Sequence, residues 1–187
     1  AQYGLYLAES DSNTVTQSYI WSTSNNAAWL NLGSDSNVIS LSTMIGNGQY
    51  GLVISAASNT VTQSYMWGVN RGAGLLAGAQ YNAVILSTMI GGSQYGMLIE
   101  ESSNTVTQSY MLGATRGLWL NFLTEVPSYN TISLSTMIGT ANYGFQATGV
   151  ASNTVTQSYM QGGQTGAYLT GSTNTLISNS SIVSDSA

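Results

Sequence analysis

Seven carboxylates and two guanidinium groups are the only charged side chains in 187 residues. They are Glu9, Asp11, Asp35, Glu100, Glu101, Glu125 and Asp185, with Arg71 and Arg116. Paired carboxyls cleave glycosidic bonds by general acid–base chemistry when they stand about 5–10 Å apart. Stacked carboxylates can also share a Ca²⁺ through oxygen. Asp11 and Asp35 form one such pair, each two residues before a recurring asparagine. They are the single candidate for a metal, and no other cofactor is expected. The chain has no His, no Cys and no Lys. That excludes imidazole and thiolate metal sites, disulfides, Cys or His nucleophile–base pairs and Lys Schiff bases. A net charge of −5 argues against a nucleic-acid partner, which needs clustered cations. No apolar run reaches the roughly 18 residues of a membrane span, so membrane insertion is not expected.

The elements that must position these groups follow from a repeat. Ser-Asn-Thr-Val-Thr-Gln-Ser-Tyr begins at Ser12, Ser58, Ser103 and Ser152, and Leu-Ser-Thr-Met-Ile-Gly begins at Leu41, Leu86 and Leu134 between them. One asparagine anchors each repeat: Asn13, Asn37, Asn59, Asn82, Asn104, Asn130, Asn153 and Asn174. Counted from it, position +2 is Val, Ile or Leu, position +5 is Ser until Asn179, and position +7 is Ile20 and then Met as far as Met160. A third apolar burst precedes each asparagine, with Leu30/Leu32 and Leu75/Ala77 as its second and fourth members. Short period-two bursts separated by Gly, Ser and Asn predict strands joined by tight turns. The resulting fold is all-β. It is a single parallel β-helix domain over residues 1–187, with about eight coils of roughly 22 residues and three short strands per coil. The asparagines become an inward ladder, paired because a buried unpaired amide is costly. Asn121–Ser128 lengthens the sixth coil and holds Pro127, the one proline.

A leucine-rich repeat has a similar period, but its asparagine would follow a Leu-x-Leu pair by a short fixed gap, and here the gap is longer and variable. Gly-Leu-x-Leu followed by Ser-Asn-Thr-Val-x-x-Ser resembles the right-handed parallel β-helix repeats of the pectin-lyase-like superfamily, over nearly the whole chain. The resemblance implies the fold. That superfamily includes polysaccharide lyases, hydrolases and epimerases as well as tailspikes, adhesins and surface repeat proteins. Its enzymes place carboxylates and cationic residues on the outside of one sheet. Here six of the seven carboxylates fall in the turn before the asparagine, with Asp185 in the tail, and no carboxylate falls on a strand. Arg71 and Arg116 each follow their asparagine by twelve residues, in a polar turn row with Gln49, Gln94 and Asn142. No catalytic constellation is carried over, and no catalysis is expected.

The outward positions remain for function. On one face they give Thr14, Thr16, Thr60, Thr62, Thr105, Thr107, Thr154 and Thr156 on alternate coils. This array resembles the ice-binding surface of β-solenoid antifreeze proteins. On the next face Tyr19, Trp21, Tyr65, Trp67, Tyr110 and Tyr159 form a stripe with Thr and Ile between them. That stripe could pack rods together or stack sugar rings, unless the chain turns these side chains into the core. The expected role is a structural extracellular or cell-surface module that self-associates end to end or laterally into a fibre or stalk. A polysaccharide-binding module on the Tyr/Trp stripe is the alternative, and ice binding the second. The chain starts inside a repeat, as expected of a segment of a longer array or an uncapped stacking subunit.

Overall fold

The computed structural model describes residues 2–123 and 125–185. Among the described residues every regular element is a strand, and the strands form three parallel sheets of eight. The first coil shows the plan: Leu5–Leu7 joins sheet A, Thr14–Thr16 sheet B and Tyr19–Ser22 sheet C. Each strand pairs with its counterparts in the neighbouring coils, so the chain winds a right-handed solenoid of eight coils. At the strand spacing of about 4.8 Å the rod is about 38 Å long.

The core is built from rows of like side chains. Val15, Ile39, Val61, Val84, Val106, Ile132 and Val155 stack from sheet B, and Ile20 with Met44, Met66, Met89, Met111, Met137 and Met160 from sheet C. From coil 2 to coil 7 both rows are buried. Each such side chain contributes about 1.5–3 kcal/mol by leaving water. From sheet A the second and fourth coils contribute Ala28/Leu30 and Ala73/Leu75, in register with Leu52/Ile54. The expected Leu30/Leu32 and Leu75/Ala77 are therefore corrected by two residues, and Leu32 lies exposed. The register follows the corner residue just before the first inward side chain (Ala27, Gly51, Gly72), not the next leucine.

Corners B–C and C–A are made differently. Between sheets B and C the chain turns in two residues. The first of these, Gln17, Leu41, Gln63, Leu86, Gln108, Leu134, Gln157 or Asn179, has φ of 48–51°. That conformation costs a non-glycine residue about 1–2 kcal/mol. It also turns the N–H along the rod, so that Leu41 donates to Thr62 O and Gln63 to Ile85 O, at 3.1 and 3.0 Å. Coil-to-coil bonding thus continues through the turn. The C–A corner is a double column of glycines, because the chain passes so closely that a Cβ on Gly46 would lie 1.8 Å from Tyr50 O.

The insertion in the sixth coil leaves Phe122, Leu123 and Val126 exposed. Pro127 itself is buried, and its carbonyl accepts from Asn153 Nδ2 at 2.9 Å.

Candidate functional site

At the A–B corner the asparagines form a continuous chain of hydrogen bonds. The backbone N–H of Asn13, Asn37, Asn59, Asn82, Asn104 and Asn130 each donates to Oδ1 of the asparagine in the next coil, at 2.7–2.9 Å. The side-chain NH₂ groups turn back onto local carbonyls, as Asn104 Nδ2 does onto Ser102 O at 3.1 Å. A second chain at the B–C corner runs through Ser42, Ser64, Ser87, Ser109, Ser135 and Ser158, each backbone N–H donating to the next Oγ at 3.1–3.2 Å.

Asn174 does not belong to the ladder. Leu176, Ile177 and Ser178 register with Thr154, Val155 and Thr156, so Thr175 holds the ladder position. Asn174 takes the left-handed conformation that Ser152 has one coil earlier, at φ 51°. Thr175 cannot reach as an asparagine does, and its Oγ1 is buried without a partner. The serine chain continues to Ser180, not Asn179, for the same one-residue reason.

Six of the seven acids line the A–B corner, and three of them, Asp11, Asp35 and Glu101, accept from the backbone. Asp11 Oδ1 accepts from Asp35 N and Asp35 Oδ1 from Ala57 N, both at 2.7 Å. The Ca²⁺ candidates thus each cap a backbone N–H of the next coil. Among the described residues no group of three or more His, Cys, Asp or Glu is placed to hold a metal. Glu101 is buried and accepts from Gly78 N at 3.1 Å. Asp185 accepts from Gln161 Nε2.

Sheet A carries an arrangement that counting from the asparagine missed. Arg71 registers with Tyr50, and Arg116 with Tyr95 and Tyr143. The arginines therefore alternate with tyrosines, not with Gln49, Gln94 and Asn142. The Arg71 guanidinium carbon lies 5.0 Å from the Tyr50 ring centre and 5.2 Å from that of Tyr95. That of Arg116 lies 5.0 Å from Tyr95 and 4.4 Å from Trp119. Arg71 also donates to the Tyr50 hydroxyl and to Gln94 Oε1, and Arg116 to Gln146 Oε1. Each cation–π contact adds about 0.5–2 kcal/mol, so both positive charges stabilise the stack of coils. The signal lay in the glycine that follows each member: Tyr50-Gly51, Arg71-Gly72, Tyr95-Gly96, Arg116-Gly117 and Tyr143-Gly144.

Burial raises the Tyr50 hydroxyl above its usual value against the opposing Arg71 charge and hydrogen bond. Burial likewise raises Glu100, opposed by a hydrogen bond with Asn121 and by Arg71. The folded state then holds the Glu100 proton more tightly than the unfolded state. Its contribution to stability is present at acid pH and is lost as pH rises from about 4.5 through the folded pKa. Glu100→Gln is expected to raise the thermal midpoint at neutral pH and to flatten this loss. Melting curves from pH 4 to 7 check it, and an equal slope in both proteins would refute it.

The outer faces of sheets B and C carry no charge among the described residues. On sheet B, Thr14, Thr60, Thr105 and Thr154 alternate with Val38, Ala83 and Thr131, and Thr16, Thr62, Thr107 and Thr156 with Ser40, Ile85 and Ser133. Ser40 donates to Thr16 Oγ1 at 3.0 Å and Ser133 to Thr107 Oγ1 at 2.9 Å, while Val38, Ala83 and Ile85 interrupt the threonines. On sheet C the aromatic stripe points outward: Tyr19 is 72% and Trp21 51% exposed, with Tyr65 exposed and Trp67, Tyr110 and Tyr159 half-buried. Trp21, Ile45, Trp67, Ile90, Leu112 and Ile138 form one continuous row. Leu41, Leu86 and Leu134 form a separate apolar row at the B–C corner, half-exposed, with the Tyr/Thr row between the two. Shallow grooves of about 440 and 430 Å³ lie at this corner, over Gln63 beside Tyr65 and over Gln157 beside Tyr159.

Three stacked parallel sheets, an asparagine ladder and inward aliphatic rows define a right-handed parallel β-solenoid. Residues 3–126 match the family described as right handed beta helix region, and the chain belongs to that family. Comparison with curated proteins gives no match.

Proposed function

We propose that this chain is a structural module of an extracellular or cell-surface assembly, a rigid rod that associates with other copies into a fibre or stalk and performs no catalysis. One observation carries the reading: both arginines and most of the carboxylates are engaged in holding coil to coil. Both arginines lie between aromatic rings, and Asp11, Asp35 and Glu101 accept from backbone N–H groups of neighbouring coils. What faces solvent on sheets B and C is uncharged and repeats every two coils, which suits a repeated contact better than a single reaction centre. Extended apolar surface of this kind marks interaction sites. Electron microscopy and sedimentation over a concentration series test the proposal. Elongated assemblies growing with concentration are expected, and discrete monodisperse particles at the highest concentrations would overturn it.

A further inference from the structure

We infer that the outer face of sheet C docks on sheet C of a second copy, with the two rods antiparallel. The inference rests on the structural reading above and adds its lateral contact, the fibre growing by end-to-end stacking of such pairs, because a closed two-fold alone does not propagate. Three features favour a second copy as the occupant. Charge is the first. Six of the seven acids sit at the A–B corner, and sheet C is the one sheet that does not border that corner. Two copies of net charge −5 joined through sheet C keep these acids on their far sides, whereas contacts through A or B would bring acidic edges nearer.

Area is the second feature. Eight coils at about 4.8 Å by four residues at about 3.3 Å give a face of about 500 Å². Two such faces total about 1,000 Å², near the lower bound of a specific interface, and the Leu41, Leu86 and Leu134 ridge widens it.

The third feature is relief. Odd coils present Tyr19/Trp21, Tyr65/Trp67, Tyr110/Leu112 and Tyr159/Gln161, and even coils present Thr43/Ile45, Thr88/Ile90, Thr136/Ile138 and Ser181/Val183. Bulky rungs thus alternate with small ones. Two identical faces joined by a closed two-fold can turn about an axis along the rods or about one along the strands. The first sets each coil on its own copy and the Tyr row on the Trp/Ile row, so Tyr65 meets Trp67. The second reverses the rods and keeps each row opposite itself. With its axis between two coils, it sets every odd coil on an even one. Full overlap then puts Tyr65/Trp67 on Thr136/Ile138 and Tyr110/Leu112 on Thr88/Ile90, bulky side chains into hollows, as in aligned sheet packing.

The chain has no cysteine, so spin labels can be placed on sheet B, outside the joint, at Thr14→Cys in coil 1 and Thr105→Cys in coil 5. Antiparallel rods predict a clearly longer distance between copies at Thr14, offset by about seven strand spacings (~34 Å), than at Thr105, offset by about one. Equal distances at both sites would overturn the geometry. Trp67→Lys with Leu112→Lys is expected to weaken association by about 30-fold or more, while Thr62→Lys leaves it unchanged. Association undiminished in the double variant overturns the face and leaves the structural reading standing. A chain that stays monomeric overturns both, and if it binds neutral oligosaccharides in a Trp67-dependent way, the face is a glycan platform instead.

Discussion

Asn104→Ala is expected to destabilise the rod by about 3–5 kcal/mol. The substitution removes the acceptor of Asn82 N–H and the donor to the carbonyls of Glu101 and Ser102. These groups lie in a turn where Asn82, Glu101 and Asn104 are all buried. A buried polar group left without a partner costs about 1–3 kcal/mol, and no other side chain is placed to replace the amide. Asn174→Ala is the matched control. It removes the same side chain from an exposed residue outside the ladder and should cost no more than about 1 kcal/mol, the loss of asparagine's tolerance of the left-handed conformation. Denaturant midpoints of the two variants decide the matter. Similar losses in both would show that the ladder does not hold the A–B corner.

Gly113→Ala is expected to have the larger effect. A Cβ there would lie 2.0 Å from Arg116 O, 2.6 Å from Gly96 N and 2.7 Å from Gln94 O. All three are backbone atoms of coils 5 and 6, so no rotamer change relieves the clash. Coil-to-coil bonding in a solenoid passes through nearest neighbours alone, and a break in the middle separates the array into two marginal halves. Loss exceeding about 4 kcal/mol, or failure to fold, is the expected result. Gly92→Ala meets a single carbonyl at 2.9 Å and should cost about 1–3 kcal/mol. Circular dichroism and urea titration of both variants provide the comparison.

The coil count, the three strands per coil and the inward Val and Met rows were legible because those positions keep a fixed distance from the asparagine. The last coil was misread because Thr175 replaces the asparagine there, and Asn174 beside it offered a false anchor one residue away. The Tyr–Arg stack escaped for a related reason. The stretch between asparagine and sheet A varies in length, so counting forward put Arg71 beside Gln49 rather than Tyr50. Only the steric demand of the glycine corner restores the register. Whether the Tyr/Trp stripe faces in or out could not be read from alternation alone, since a tight turn can invert the face. The two-residue B–C turn, with one left-handed residue, keeps Met66 inside and Tyr65 and Trp67 outside.

The alternation of Tyr50, Arg71, Tyr95, Arg116 and Tyr143 also restricts how such a gene can change in copy number. Removing coil 5 alone would set Arg71 directly against Arg116, two cations with no ring between them. Gaining or losing two coils together leaves every tyrosine beside an arginine and every bulky rung of sheet C beside a small one. Viable length variants should therefore differ by whole pairs of coils, and single-coil deletions should be purged even though they preserve the asparagine ladder.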